Sequence, residues 1–221
     1  MKTRIILPDT DGISEAGAIL RSGGLVAFPT ETVYGLGANA LDATATKHIY
    51  EAKGRPSDNP MIVHVASIDM LNGVASGVTD AQKAIMSKLW PGPITFVLHK
   101  NPAVPDVTTG GLDTVAVRWP SRREAAEIIE AAGVPIAAPS ANISGKPSPT
   151  TFEDVAEDMD GRIDAIVKGE RTAIGIESTV LDLTSEVPTI LRPGFITKSQ
   201  IEEAVDGEVR YDPSLFKKPG A

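Results

Sequence analysis

Short apolar runs alternate along the chain with amphipathic segments. The runs at 4–7, 25–28, 61–65, 95–98, 115–118, 134–138, 165–167, 179–183 and 189–191 are rich in Val, Ile and Leu and nearly continuous. That is the pattern of strands covered on both faces. Helical periodicity lies between them. Residues 13–21 stop at Gly23, and 43–53 run from an Asp42 cap to Gly54. Residues 81–89 follow Thr79 and Asp80 and stop at Pro91; 122–132 start behind Ser121 and stop at Gly133. Residues 152–159 follow a threonine-rich cap, and 198–205 follow Thr197. Strands interleaved with covering helices predict an α/β fold. Their irregular spacing predicts a twisted sheet with mixed parallel and antiparallel pairing.

A length of 221 residues suits one large domain or two small ones, and 42% apolar with 23% charged residues is ordinary globular composition. We read 1–205 as one catalytic domain and 206–221, polar with Pro213 and Pro219, as a tail or a linker cut short. The absence of cysteine removes disulfides, thiolate zinc sites and a cysteine nucleophile together. The N-terminal apolar run, 5–7, is too short for a signal peptide, and no stretch approaches the ~20 apolar residues of a membrane span. These features predict a cytoplasmic protein. A net charge of −8 argues against general nucleic-acid binding, which draws on a basic surface.

Candidate chemistry gathers in five segments, each at the end of a strand or helix, where α/β proteins place binding groups. Phe28-Pro-Thr-Glu-Thr-Val-Tyr-Gly-Leu-Gly37 offers hydroxyls and glycine-permitted backbone donors, or simply a strand, a turn and a helix start. Lys53-Gly-Arg55 in a Gly/Pro loop suits a phosphate chain, or a solvated basic turn. His64 sits within an apolar strand, as a core histidine does. Arg118 ends another strand and requires an anion there, from the protein or from a ligand. The loop after 134–138, Ser140-Ala-Asn-Ile-Ser-Gly-Lys-Pro-Ser148, presents hydroxyls and backbone donors to phosphate oxygens. Glu177-Ser-Thr-Val180 and Arg192-Pro-Gly194 repeat the theme of hydroxyl before a strand and arginine after one. No Walker phosphate loop, GxGxxG, HExxH or G-x-S-x-G elbow occurs.

Taken in order, these motifs resemble the YrdC/TsaC family of threonylcarbamoyl-AMP synthases over roughly residues 12–205. The resemblance implies a YrdC-like domain with a concave, positively charged cavity that condenses L-threonine, bicarbonate or CO2 and ATP. It implies that Thr32, His64, Arg118, Ala138 and Ser178 contact threonine. Arg55, Asn59, Thr114, Ser140, Ser148 and Arg192 would contact ATP, with Lys53, Arg55 and Asn142 nearest the reacting phosphates. It further implies Mg²⁺ carried by ATP with no metal site built by the protein, a downstream tRNA-modification transferase as partner, and at most weak tRNA contact. Two other readings are a carbamoyl-adenylate domain of the hydrogenase-maturation type and a double-stranded RNA or tRNA-binding module. The first usually accompanies zinc fingers, which need cysteine; the second needs a basic or aromatic surface.

Overall fold

Asp9, Asp42, Ser67, Thr79, Thr151 and Thr197 each accept a backbone N–H at a helix start, replacing partners the first turn lacks. At Thr79 and Thr197 a glutamine three residues on returns the bond, closing a capping box. Ser121 does not cap: the helix starts at Arg123, behind Arg122, with no side-chain cap bond. The computed structural model describes residues 2–216. The elements are β1 (Arg4–Ile6), α1 (Thr10–Arg21), β2 (Val26–Pro29), β3 (Tyr34–Asn39), α2 (Ala43–Lys53), β4 (Ile62–His64), α3 (Ile68–Val74) and α4 (Asp80–Leu89). There follow β5 (Ile94–His99), α5 (Asp106–Thr109), β6 (Thr114–Arg118), α6 (Arg123–Ala132), β7 (Ile136–Ala137), α7 (Phe152–Met159) and β8 (Ala165–Val167). The last are β9 (Thr179–Asp182), β10 (Thr189–Arg192), α8 (Lys198–Val205) and β11 (Arg210–Tyr211), before a short 3₁₀ turn, Pro213–Phe216.

The strands form one sheet in the order β1-β8-β2-β3-β7-β4-β6-β5-β9-β10-β11. Pairing is mixed, as the irregular spacing predicts: β4 with β6 and β5 with β9 run parallel, whereas β2–β3, β3–β7, β4–β7, β5–β6 and β9–β10 are antiparallel. One core packs α1 and α6 over β1, β2 and β8 through Leu20, Phe28, Ile128, Ile129 and Val167. A second, larger core includes Tyr34, Ile49, Val63, Phe96, Val117 and Leu181. Each such side chain taken fully from water contributes roughly 1.5–3 kcal/mol before chain entropy is counted. No helix among the described residues is long and apolar enough to cross a membrane.

Two departures from the sequence pattern shape the site. The glycine-rich segment after Phe28 is neither loop nor helix start but β3, paired on both edges. Glycine is required there by close approach: a Cβ on Gly37 would sit 2.7 Å from Phe28 Cε1 and 2.9 Å from Ile136 Cγ2. The second is the boundary drawn at 205. Val209 is buried, and β11 adds to the sheet beside β10, so 206–212 belongs to the domain and is not tail. The remainder of that expected tail, 217–221, lies outside the described residues.

Candidate active site

β4 and β6 lie side by side and parallel, with His64 in register with Arg118 at their C-terminal ends. Three other segments reach the same place. The hairpin β2–β3 turns through Thr30–Val33, where Thr30 Oγ1 donates to the Val33 carbonyl at 2.7 Å. The chain leaving β7 delivers Ala138 and Ser140, the latter bridged to Gly35 of β3. Ser178 enters β9, and Arg192 leaves β10. Together they enclose a hollow of about 160 Å³. All five residues expected at threonine line it: Thr32, His64, Arg118, Ala138 and Ser178. Four of those expected at ATP, Arg55, Asn59, Ser140 and Arg192, line it too.

Arg118 is only 4% exposed and does have its anion, supplied by the protein: Glu31 Oε1 lies 2.7 Å from its Nη2. The contact is an ion pair without an aligned hydrogen bond, and both Glu31 oxygens lack a hydrogen-bonding partner. Arg118 Nη1 donates to Thr32 Oγ1 at 2.8 Å, while its Nε is buried and unpartnered. The floor of the hollow therefore keeps unused donor and acceptor capacity, which in a buried place is costly unless a ligand takes it up.

His64 is buried, with Nδ1 unpartnered. Burial first, and the Arg118 charge second, pull its pKa down to about 3, so the ring is neutral at pH 7. The unfolded chain binds this proton below about pH 6.5, whereas the folded chain refuses it down to about 3. Stability from neutral His64 is thus complete above pH 6.5 and is lost as pH falls through that window. We expect about 2 kcal/mol lost between pH 7.5 and pH 5 from this group alone. Urea unfolding at both pH values, beside His64→Asn, checks it; equal pH slopes for the two proteins would refute it.

Lys53 and Asn142 do not face the hollow as expected. Lys53 is 2% exposed, and its ammonium donates to the carbonyls of Ser140 and Asn142. Its own carbonyl accepts from Ser144 N–H at 2.8 Å. Burial and the nearby Arg55 draw its pKa down to about 8. The Asn142 amide donates to the carbonyls of Ile143 and Lys146, leaving Oδ1 buried and unpartnered. From the other side, Asp158 accepts from Ile143 N–H at 3.0 Å and from Lys146 Nζ at 2.6 Å. These groups sit behind the Ser140–Ser148 loop and fix its shape.

Thr114 begins β6, at the end opposite Arg118, and lines an adjoining hollow of about 220 Å³. That hollow is mainly apolar, with Ile62, Val97, Ala116, Val180 and Leu191 along the strands. It shares Pro60, Met61, Ile62 and Arg192 with the first. Each alone is small beside ligand pockets of roughly 300–1,000 Å³, but a ligand with a polar and a planar apolar part can span both. Ser148 lines neither; its Oγ donates to Glu177 Oε1 at 3.1 Å, and Glu177 lines the first hollow. Arg192 Nη1 donates to Glu177 Oε2 at 2.8 Å, and its other nitrogens donate to Ser178. Glu31 and Glu177 went unassigned in the sequence although both lie inside its motifs; an arginine at a strand end was the available signal that a carboxylate would be near. Among the described residues no group of three or more His, Cys, Asp or Glu side chains is placed to hold a metal ion.

A family model named Sua5/YciO/YrdC and described as telomere recombination matches residues 18–194. The chain is similar to the threonylcarbamoyl-AMP synthase of Pyrococcus abyssi, 54% identical over 203 residues, and to that of Bacillus subtilis, 54% identical over 204. Each match covers 92% of this chain and 59% of the relative, so the chain spans about three fifths of their length. The crystal structure of P. abyssi Sua5 complexed with L-threonine superposes with a TM-score of 0.94 at 52% identity, covering 98% of this chain and 64% of the other.

Proposed function

Starting from the fact that the chain belongs to the Sua5/YciO/YrdC family, we propose that the paired hollows make threonylcarbamoyl-AMP from L-threonine, bicarbonate or CO2 and ATP, a nucleotidyl transfer that feeds a tRNA-modifying transferase. The observation that carries this reading is the meeting of Arg55, Arg118 and Arg192 with Thr32, Ser140 and Ser178 around one hollow that opens onto an apolar strand face. Arg118, held by Glu31 and Thr32, receives the threonine carboxylate. Thr32, Ser178, the neutral His64 ring and the Ala138 backbone surround the rest of the amino acid. Arg55, Asn59, Ser140, Ser148 and Arg192 take the phosphates, and the adenine lies over the apolar strand face beside Thr114. The P. abyssi relative bound to L-threonine supports the amino-acid half.

Threonine's amine adds CO2 to give a carbamate. One carbamate oxygen then bonds to the α-phosphorus of ATP, the bond to the β-phosphate bridging oxygen breaks, and pyrophosphate leaves with the electron pair. The attacking oxygen is already anionic, so the residues need to align it and offset charge, not to act as a strong base. Magnesium arrives as part of the MgATP substrate, its ligands being chiefly phosphate and water. Lys53 and Asn142 act through the loop they brace, by fixing where Ser140 points.

The test is incubation of the protein with ATP, L-threonine and bicarbonate, with mass spectrometry for the threonylcarbamoyl adenylate and serine as the control amino acid. No adduct, under conditions where the B. subtilis relative forms one, rejects the reading. Arg55→Ala is expected to cut threonine-dependent pyrophosphate release on the order of 10²-fold by removing a phosphate donor. Its melting temperature should hardly change, because the Arg55 side chain bonds only within its own loop, to the carbonyls of Asn59 and Pro60.

A further inference from the structure

Glu177 occupies the point where the candidate phosphate-binding groups meet. Its two carboxylate oxygens are divided between Ser148 Oγ and Arg192 Nη1, which come from different loops. Its charge also reaches Arg55 and Lys53 and raises the pKa of each against the effect of burial. A carboxylate and a phosphate present similar anionic oxygens and draw the same donors, so Ser148 and Arg192 cannot serve both fully. Without an anion, the surrounding cations disfavour one another: Arg118 lowers the pKa of Arg192, and Arg55 that of Lys53. The pair itself is half open to solvent, with side chains 36% exposed on Arg192 and 43% on Glu177. Such a pair holds weakly and exchanges readily.

We infer that Glu177 is an internal anion that stands in a phosphate position of the empty site, is displaced by nucleotide, and sets how tightly ATP and pyrophosphate are held. The inference rests on the nucleotide reading above. In the empty site the carboxylate keeps Arg192 and Ser148 pre-aimed. With nucleotide bound it lies beside the phosphates as a like charge, and its return to Arg192 favours departure of pyrophosphate. Glu177 therefore tunes affinity through Arg192 and Ser148 and takes no part in bond making.

Glu177→Gln is the deciding variant, since it keeps the shape and an acceptor for Arg192 while removing the charge. Calorimetric titration with pyrophosphate and with ATP, each with and without Mg²⁺, is expected to show binding tighter by on the order of tenfold. KM for ATP should fall, pyrophosphate should inhibit more strongly, and KM for threonine should stay unchanged. Glu177→Ala, which also loses the pre-aiming contact, should gain less. Equal or weaker pyrophosphate binding by Glu177→Gln, with the wild type binding normally, overturns the inference and leaves the nucleotide reading intact. Weakening seen only with Mg²⁺ also overturns it, in favour of a metal-binding carboxylate. A wild type that binds neither ATP nor pyrophosphate overturns the nucleotide reading, and the inference falls with it.

Discussion

Arg118→Ala is expected to abolish threonine-dependent pyrophosphate release and to lower folding stability by about 3–5 kcal/mol. Both effects come from one place. The guanidinium is buried at the end of β6, 2.7 Å from a carboxylate that has no hydrogen-bonding partner. Removing it strands the Glu31 charge in the interior and deprives Thr32 Oγ1 of its donor. Urea unfolding reads the first loss and a pyrophosphate assay the second. Arg118→Lys separates them. It restores a positive charge near Glu31 and recovers part of the stability, but a point charge cannot reach Thr32, Glu31 and a substrate carboxylate as a planar fork can. We expect KM for threonine to remain raised in the lysine variant. Wild-type stability and threonine KM in Arg118→Ala would show that this arginine anchors neither the fold nor the amino acid.

Lys53→Met should have the next largest effect, and of a different kind from Arg55→Ala two residues away. Methionine fills much of the buried stem but cannot donate to the carbonyls of Ser140 and Asn142. Each carbonyl left unsatisfied costs about 1–3 kcal/mol, so melting temperature and activity should fall together. Activity is expected to fall on the order of 10²-fold, since a misplaced Ser140 is a misplaced phosphate donor. If Lys53→Met kept wild-type stability and lost only ATP affinity, the lysine would be contacting phosphate directly, as the sequence motif implied.

The difference between these two lysine readings shows what a local pattern conveys. Lys53-Gly-Arg55 reads as two cations in a glycine turn, and the spacing puts both in one loop. It does not say that α2 ends with Lys53 pointing inward while Gly54, at φ +60°, turns the chain and sends Arg55 to the hollow. Likewise β4, β6 and β7 were legible as apolar runs, and the residues at their ends were the right ones to suspect. β3 was hidden, because Gly35 and Gly37 break the β-branched signature, and the reason for Gly37 lies in Phe28 and Ile136. β11 was hidden because two polar residues at a sheet edge carry no apolar run.

The chain's own order of apolar and polar residues thus determined the class of fold, most helix starts and stops, and the strand ends at which chemistry gathers, since caps and periodicity act within a few residues. Tertiary structure alone decided which strand ends meet and which carboxylate answers each arginine. Glu31 with Arg118, and Glu177 with Arg192 and Ser148, are partners brought together by sheet order. Their pairing energy depends on distance and burial in the folded state, which neighbouring residues along the chain do not encode.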